Sequence, residues 1–201
     1  MAGGGDLGST QDVLTLASTS PQRRAILDQL RIPFEAVVPQ YVENDPAGIE
    51  SRELVRRHAE GKARSVHQPE AVTLGVDTEV VLDDRVYGKP LDRDDAEHML
   101  KELSGRTHTV VSGLCLLGDG FEIVQHELTD VTFRLLGPEL VDLYLESGEW
   151  QGRAGAYAIQ GLGGRLVERI KGDYLNVVGL PGALLVSLLE CHAPELLEVD
   201  R

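Results

Sequence analysis

Residues 71–90 constrain this chain more than any other stretch. An apolar run from Ala71 to Val76 ends in an acid, Asp77, and Val80, Val81 and Leu82 follow. Asp83-Asp84 supplies turn chemistry, and a short return run ends at Gly88-Lys89-Pro90. The pattern predicts a buried strand followed by a hairpin. A carboxylate where such a run gives out is either stranded in a core or aimed into a cleft. The core option is costly unless the charge is paired or on a metal. Lys89 lies between Gly88, which permits close backbone approach, and Pro90, which stiffens the chain. One acid and one lysine on short rigid elements suit a metal and a phosphate. A structural ion pair or a capping aspartate is the other reading of the same residues.

The chain has 201 residues, enough for one large domain or for two lobes around a cleft. Aromatic residues make up only 4% of it against 42% hydrophobic overall, so the core must be built mostly from Leu, Val, Ile and Ala. A formal net charge of −14 argues against a nonspecific nucleic-acid polymer binder, which needs a basic surface. It leaves a nucleotide substrate open, because a divalent metal and a few local cations can reverse the field inside one pocket. Cys115 and Cys191 form no CxxC motif, which fits a reducing, cytoplasmic setting. Residues 1–11 are Gly-rich without an apolar core and read as a flexible tail rather than a signal peptide, with one domain expected over 12–201. No apolar run approaches the roughly 20 residues of a membrane span.

Along the chain, Val13 to Ala17 reads as a buried first strand, followed by the hydroxyl-rich turn Ser18-Thr19-Ser20. A helix begins with Pro21-Gln22-Arg23-Arg24, for which Ser20 is a good N-cap and Pro21 a good first residue. Arginines in a first turn oppose the helix dipole unless an anion is present, so strand, turn and arginines suggest a phosphate site; a solvated basic turn is the plainer alternative. Phe34 to Val38 reads as a second strand, leading into an irregular acidic loop with Glu43. Ser51 to Val66 reads as a helix carrying Lys62 between Gly61 and Ala63, which leave room near it, although most helix lysines are surface residues. Asp92 caps a helix from Arg93 to Leu103, and two long strands, His108 to Leu117 and Phe121 to Leu136, are joined at Gly118-Asp119-Gly120. A helix over Pro138 to Glu146 follows.

Residues 149–164 hold five glycines, so their backbone is expected to pack close to something; Gln160 lies inside the stretch. Its amide offers a donor and an acceptor and can read a base edge or satisfy loop backbone. Leu166 to Ile170 and Tyr174 to Val178 read as strands, and Gly179-Leu180-Pro181 opens a last helix. The six histidines show no metal spacing, which argues against zinc, and Gly88-Lys89 is not a P-loop.

With these motifs laid out, the sequence resembles the Maf family of nucleoside triphosphate pyrophosphatases, also called septum formation inhibitor proteins. The motifs are Leu16-Ala-Ser-Thr-Ser-Pro-Gln-Arg-Arg24, Gly75-Val-Asp-Thr78, Gly88-Lys-Pro90, Leu103-Ser-Gly-Arg-Thr-His108, Ala154-Gly-Ala-Tyr-Ala-Ile-Gln-Gly161 and Gly172-Asp-Tyr-Leu-Asn-Val-Val-Gly-Leu-Pro181. They occur in the family's order and spacing, and the resemblance runs from Leu16 to about Leu189. The Ala-Tyr-Ala-Ile-Gln-Gly form resembles the branch acting on dTTP and UTP; another branch acts on 7-methyl-GTP.

The resemblance implies an α/β fold: a mixed, strongly bent sheet with helices and two lobes around a central cleft, similar to the inosine triphosphatase architecture. It implies hydrolysis of NTP to NMP and pyrophosphate with Mg²⁺ or Mn²⁺, and, because family members often dimerise, a homodimer. Carried over by position, Asp77 matches the catalytic acid that binds metal and activates water, and Glu43 a second acidic, metal-site residue. Ser18, Arg23, Lys62 and Lys89 match substrate-contacting positions, and Thr78 and Gln160 specificity positions. Gln22 stands where the family usually has the first of two arginines, a departure that bears on substrate preference rather than on the reaction. Arg153 stands where lysine is common, and Trp150 replaces a frequent proline, at an interface, a pocket rim or in local packing. The competing class is a nucleotide-binding regulator of cell division with little catalysis.

Overall fold

The computed structural model describes residues 13–46 and 48–198; the tail expected over 1–11 lies outside them. Seven strands form one mixed sheet: β1 (Leu14–Ala17), β2 (Phe34–Val37), β3 (Thr73–Leu82), β4 (Arg85–Tyr87), β5 (Thr107–Gly118), β6 (Phe121–Phe133) and β7 (Val167–Lys171). Their order is β2-β1-β3-β5-β6-β7, with β4 paired to β3 off this path. The first three strands run parallel and the rest pair antiparallel. Six helices cover the sheet: α1 (Pro21–Leu30), α2 (Ser51–Arg64), α3 (Arg93–Leu103), α4 (Pro138–Glu146), α5 (Tyr174–Val178) and α6 (Gly182–His192).

β3 is the spine. Its even-numbered residues share a face with those of β5, because Leu74 pairs with Leu116, Val76 with Leu114 and Val80 with Val110. Two hydrophobic clusters occupy that face. One joins Leu74, Val76, Leu114 and Leu116 to Ile26 and Leu27 of α1 and to Leu185 and Leu189 of α6. The other joins Val80, Leu82 and Val110 to Leu100 and Leu103 of α3 and to Tyr144 of α4. These clusters are the two lobes. α2 lies on the opposite, odd-numbered face, where a Cβ on Gly75 would stand 2.1 Å from the Ala59 carbonyl oxygen, and one on Gly113 the same distance from that of Val55. Glycines at these two positions are what let the helix backbone rest on the sheet.

β1 leads through α1 to β2 on one side, and β3 then enters on β1's other side after α2, so α1 and α2 cover opposite faces. The crevice at the C-terminal end of β1, beside β3, is therefore a topological switch point, the place where open α/β sheets bind ligands. β1 pairing ends at Ala17↔Gly75, so the next residues, Ser18 on one side and Asp77 with Thr78 on the other, border the opening.

Several expectations need correction. Tyr174–Val178 is a helix, α5, not a strand: the Asp173 carboxylate accepts from the Leu175 amide and caps it. Five residues rich in valine and tyrosine show no period that separates the two states, and a local cap decided it. β3 does not stop at Asp77 but continues to Leu82, so the acid sits in mid-strand. Ser20 has extended backbone but does not cap α1 through its side chain; its hydroxyl donates to Gln22 Oε1. By contrast Asp92 caps α3 as expected, accepting from the Asp95 amide. The glycines of 149–164 pack that segment largely on itself: the Glu149 carboxylate lies against Gly161 and accepts from the Leu162 amide. Trp150 is local packing, buried with its indole N–H donating to the Leu145 carbonyl.

Candidate active site

On the α2 face of β3, Lys62 Nζ lies 2.6 Å from Asp77 Oδ1 and 2.6 Å from Glu43 Oε1. Lys62 is only 9% exposed, unlike most helix lysines. α2 carries a buried apolar stripe through Leu54, Val55, Ala59 and Ala63, and Lys62 follows that stripe inward at the helix end nearest the crevice. A buried ammonium needs partners, and the two carboxylates supply them. Burial works to raise the Glu43 pKa, but hydrogen bonding and charge from Lys62, with the charges of His58 and Lys89, outweigh it and hold the carboxyl below its ordinary value. Lys89 itself is exposed. Gly88 beside it has open space where a Cβ would be, so close approach is not why glycine stands there; its carbonyl accepts from the Gly155 amide.

Glu79, two residues beyond Asp77 on the same face, was not among the expected site residues. Burial raises its pKa, the Asp77 and Asp45 charges add to the rise, and Ser51 and His58 oppose it. Its Oε2 is buried without a hydrogen-bond partner. The period of two along β3 was the signal that could have found it.

On the opposite face, Thr78 Oγ1 lies 2.9 Å from Ser112 Oγ and 3.3 Å from the Gly179 carbonyl oxygen. Arg23 reaches the same point from α1: its Nε donates to Gly179 O at 2.9 Å, one terminal nitrogen to Ser18 Oγ at 3.2 Å and the other to Thr78 Oγ1 at 3.3 Å. Burial lowers the Arg23 pKa, and the Asp77 and Glu43 charges oppose that, so the guanidinium feels both carboxylates across the crevice. Ser18 is buried, and its hydroxyl also accepts from the Ser20 amide. Ser18, Arg23 and Thr78 thus form one interlocked network.

The two specificity glutamines meet elsewhere. Gln22 and Gln160 line a cavity of about 220 Å³ floored by Ile26, Leu175 and Val178, with Tyr174 beside them. Thr78 does not line it. A larger cavity of about 300 Å³ lies between the end of α2 and the β5–β6 turn, but its charges, Arg64 and Glu122, pair with each other.

Among the described residues no group of three or more His, Cys, Asp or Glu could hold a metal unaided. Asp77 and Glu43 make a donor pair of the kind that holds Mg²⁺ together with phosphate and water oxygens, and the unpartnered Glu79 oxygen adds acceptor capacity nearby.

The model of the Maf-like protein family matches residues 13–192. A dTTP/UTP pyrophosphatase of Symbiobacterium thermophilum is 48% identical over 178 residues, covering 88% of this chain and 92% of that one. Another from Nitratidesulfovibrio vulgaris is 47% identical over 179 residues, covering 87% and 85%. Among solved structures, a HAM1 protein from Coxiella burnetii aligns over 90% of this chain and 99% of its own at a TM-score of 0.49 and 15% identity, a likeness too slight to bear on fold or function. With a family model matched over most of its length and relatives near half identical, this chain belongs to the Maf-like protein family.

Proposed function

We propose that this protein hydrolyses nucleoside triphosphates to the monophosphate and pyrophosphate, with dTTP and UTP as its preferred substrates. The observation that carries this reading is the Asp77–Lys62–Glu43 cluster at the sheet's switch point, with Arg23 bonded to Thr78, the next residue after Asp77. Lys62 engages Asp77 Oδ1, and the carboxylate takes a proton from a water whose oxygen attacks the α-phosphorus. The bond from the α-phosphorus to its bridging oxygen breaks, and pyrophosphate leaves with that oxygen. Lys62, Lys89 and Arg23 offset the charge building on the phosphates, as positioned cations do in phosphoryl transfer. The first-turn amides of α1, which Ser20 does not cap through its side chain, add donors near Ser18. Asp77 and Glu43 would hold Mg²⁺ or Mn²⁺, which supplies charge neutralisation and lowers the pKa of water.

For the base, Gln22 and Gln160 line a cavity together with the apolar Ile26, Leu175 and Val178. Gln160 can donate to O4 and accept from N3–H of uracil or thymine. Gln22 in this cavity, where the family usually places arginine, leaves a neutral pocket suited to a neutral pyrimidine. We place the reaction in the cytoplasm and the enzyme as a homodimer.

The test is a panel of nucleoside triphosphates, including 5-methyl pyrimidine and 7-methyl-GTP variants, with Mg²⁺ or Mn²⁺, scoring pyrophosphate against phosphate. Pyrophosphate from dTTP and UTP, lost in Asp77→Asn, is expected. Preference for 7-methyl-GTP would overturn the substrate, and nucleotide binding without turnover would favour the regulator. In Gln160→Glu, relative rates on dTTP, UTP, CTP and GTP should shift; unaltered ratios would remove Gln160 from base reading.

A further inference from the structure

The loop that carries Glu43 has no regular structure, yet it is docked along one stripe of α2. Gln40 donates its amide to Ser65 Oγ at 3.1 Å. The Tyr41 ring occupies the space a side chain on Gly61 would need, with its Cε2 2.3 Å from where the Cβ would stand. Glu43 meets Lys62, and Asp45 meets His58. The receiving positions, 58, 61, 62 and 65, follow the i, i+3, i+4, i+7 spacing of one helical face. Along the loop, Tyr41, Glu43 and Asp45 reach the helix with their side chains and alternate with Val42, 85% exposed, and Asn44, as an extended segment with one face toward the helix would.

His58 is the one helix residue that grips this segment on both sides of Glu43. It is 2% exposed. Its Nε2 lies 2.8 Å from Asp45 Oδ1 and its Nδ1 3.1 Å from Tyr41 Oη. A carboxylate only accepts, so Nε2–H donates to Asp45, while Nδ1 and the Tyr41 hydroxyl share the second hydrogen bond. The ring makes both bonds at once. The Glu43 and Asp45 ends of their pairs are 54% and 69% exposed, so neither pair alone offsets the entropy of ordering an irregular loop; the Tyr41 ring on Gly61 and its hydroxyl bond to His58 add to them.

We propose that His58 is a positioning residue, clamping Tyr41 and Asp45 so that the Glu43 carboxylate between them is held against Lys62 and Asp77. The proposal rests on the pyrophosphatase reading for its consequence in turnover, but the clamp itself has an independent readout.

The experiment is a double-mutant cycle of His58→Leu and Glu43→Gln, with amide hydrogen exchange of residues 40–45 measured alongside. His58→Leu should speed exchange across these residues and lower kcat about 10- to 100-fold, the range for residues that orient a metal-site ligand. In the Glu43→Gln background it should lower kcat no further, because its effect runs through that carboxylate. An equal fall in both backgrounds, or unchanged exchange, would overturn the proposal. If His58→Leu does not fold, Tyr41→Phe repeats the cycle, keeping the ring against Gly61 and losing only the hydroxyl bond. A wild-type protein that released no pyrophosphate would sink the functional reading, while the exchange data would still decide the clamp.

Discussion

Asp77 and Thr78 are neighbours in the chain and face opposite sides of β3, and the two sides are built differently. On the Thr78 side the polar groups lock into one another: Thr78, Ser112, Arg23, Ser18 and the Gly179 carbonyl hold a rigid wall between the two apolar lobes. On the Asp77 side one lysine is shared by two carboxylates, and a third carboxylate, Glu79, keeps a buried oxygen without a partner. The first side holds its groups in fixed geometry, with the spare N–H groups of the Arg23 guanidinium left for a phosphate. The second has charge and acceptor capacity in reserve, which is what a metal–triphosphate complex needs. Motif resemblance assigns substrate contact to both sides alike; the structure distinguishes an interlocked side from one with unpaired acceptor capacity.

Substitutions can break or sharpen this contrast. The largest effect is expected from Asp77→Asn, which removes the proton acceptor and should lower kcat about 10²- to 10⁴-fold in steady-state pyrophosphate release. Near wild-type turnover would move the chemistry to the other face. Lys62→Met leaves Asp77 and Glu43 without their shared cation and removes a phosphate-facing charge, so a fall in kcat of about 10²- to 10³-fold is expected. On the wall, Thr78→Val keeps the shape but deprives the fully buried Ser112 hydroxyl of its hydrogen-bond partner. Urea unfolding should show a loss of about 2 kcal/mol, the penalty for a buried group left unpaired. A loss this size on the Thr78 face but not in Glu43→Gln would mark the wall as the structural side.

The smallest expected effect lies inside one lobe. His108 is buried against Phe133 and Tyr157, donates to or accepts from Tyr157 Oη at 2.9 Å, and is lowered by burial to about 4. Between its folded value and the ordinary 6.5 the unfolded chain binds a proton that the folded chain does not. Stability contributed by this ring is therefore present above that window and lost as pH falls through it. Denaturant melts at about pH 6.5 and about pH 5 should differ by about 1.5 kcal/mol, and the difference should shrink in His108→Gln.

Much of this was legible in the chain because local rules carried it. Apolar runs with turn residues between them marked β3 with its hairpin, β5 with β6, and β1, and Asp92 marked the start of α3. Asp77 stands out as the acid that ends the apolar run from Ala71 to Val76, and Gln22 and Gln160 come from motifs about 140 positions apart that one cavity joins. Local rules failed where two states share a pattern. Val-rich residues 174–178 formed a helix because Asp173 caps them, and β3 ran on through Asp77 because its pairing with β5 is unbroken from Thr73 to Val81.

The sequence by itself determined the order of most elements, though not the state of residues 174–178, together with the family motifs and which residues carry charge, since these follow from spacing and side-chain type. Tertiary structure alone decided which charges meet. By helix pattern alone Lys62 reads as one more surface lysine, and the family motif picks it out without its partners; α2 lying on Gly75 and Gly113 is what turns it toward Asp77. Glu43, Tyr41 and Asp45 read as an ordinary acidic loop until His58 grips it. The reason is physical: strand and helix periodicity are set within a few residues, whereas the pairing that makes buried charge tolerable depends on groups brought together from distant parts of the chain.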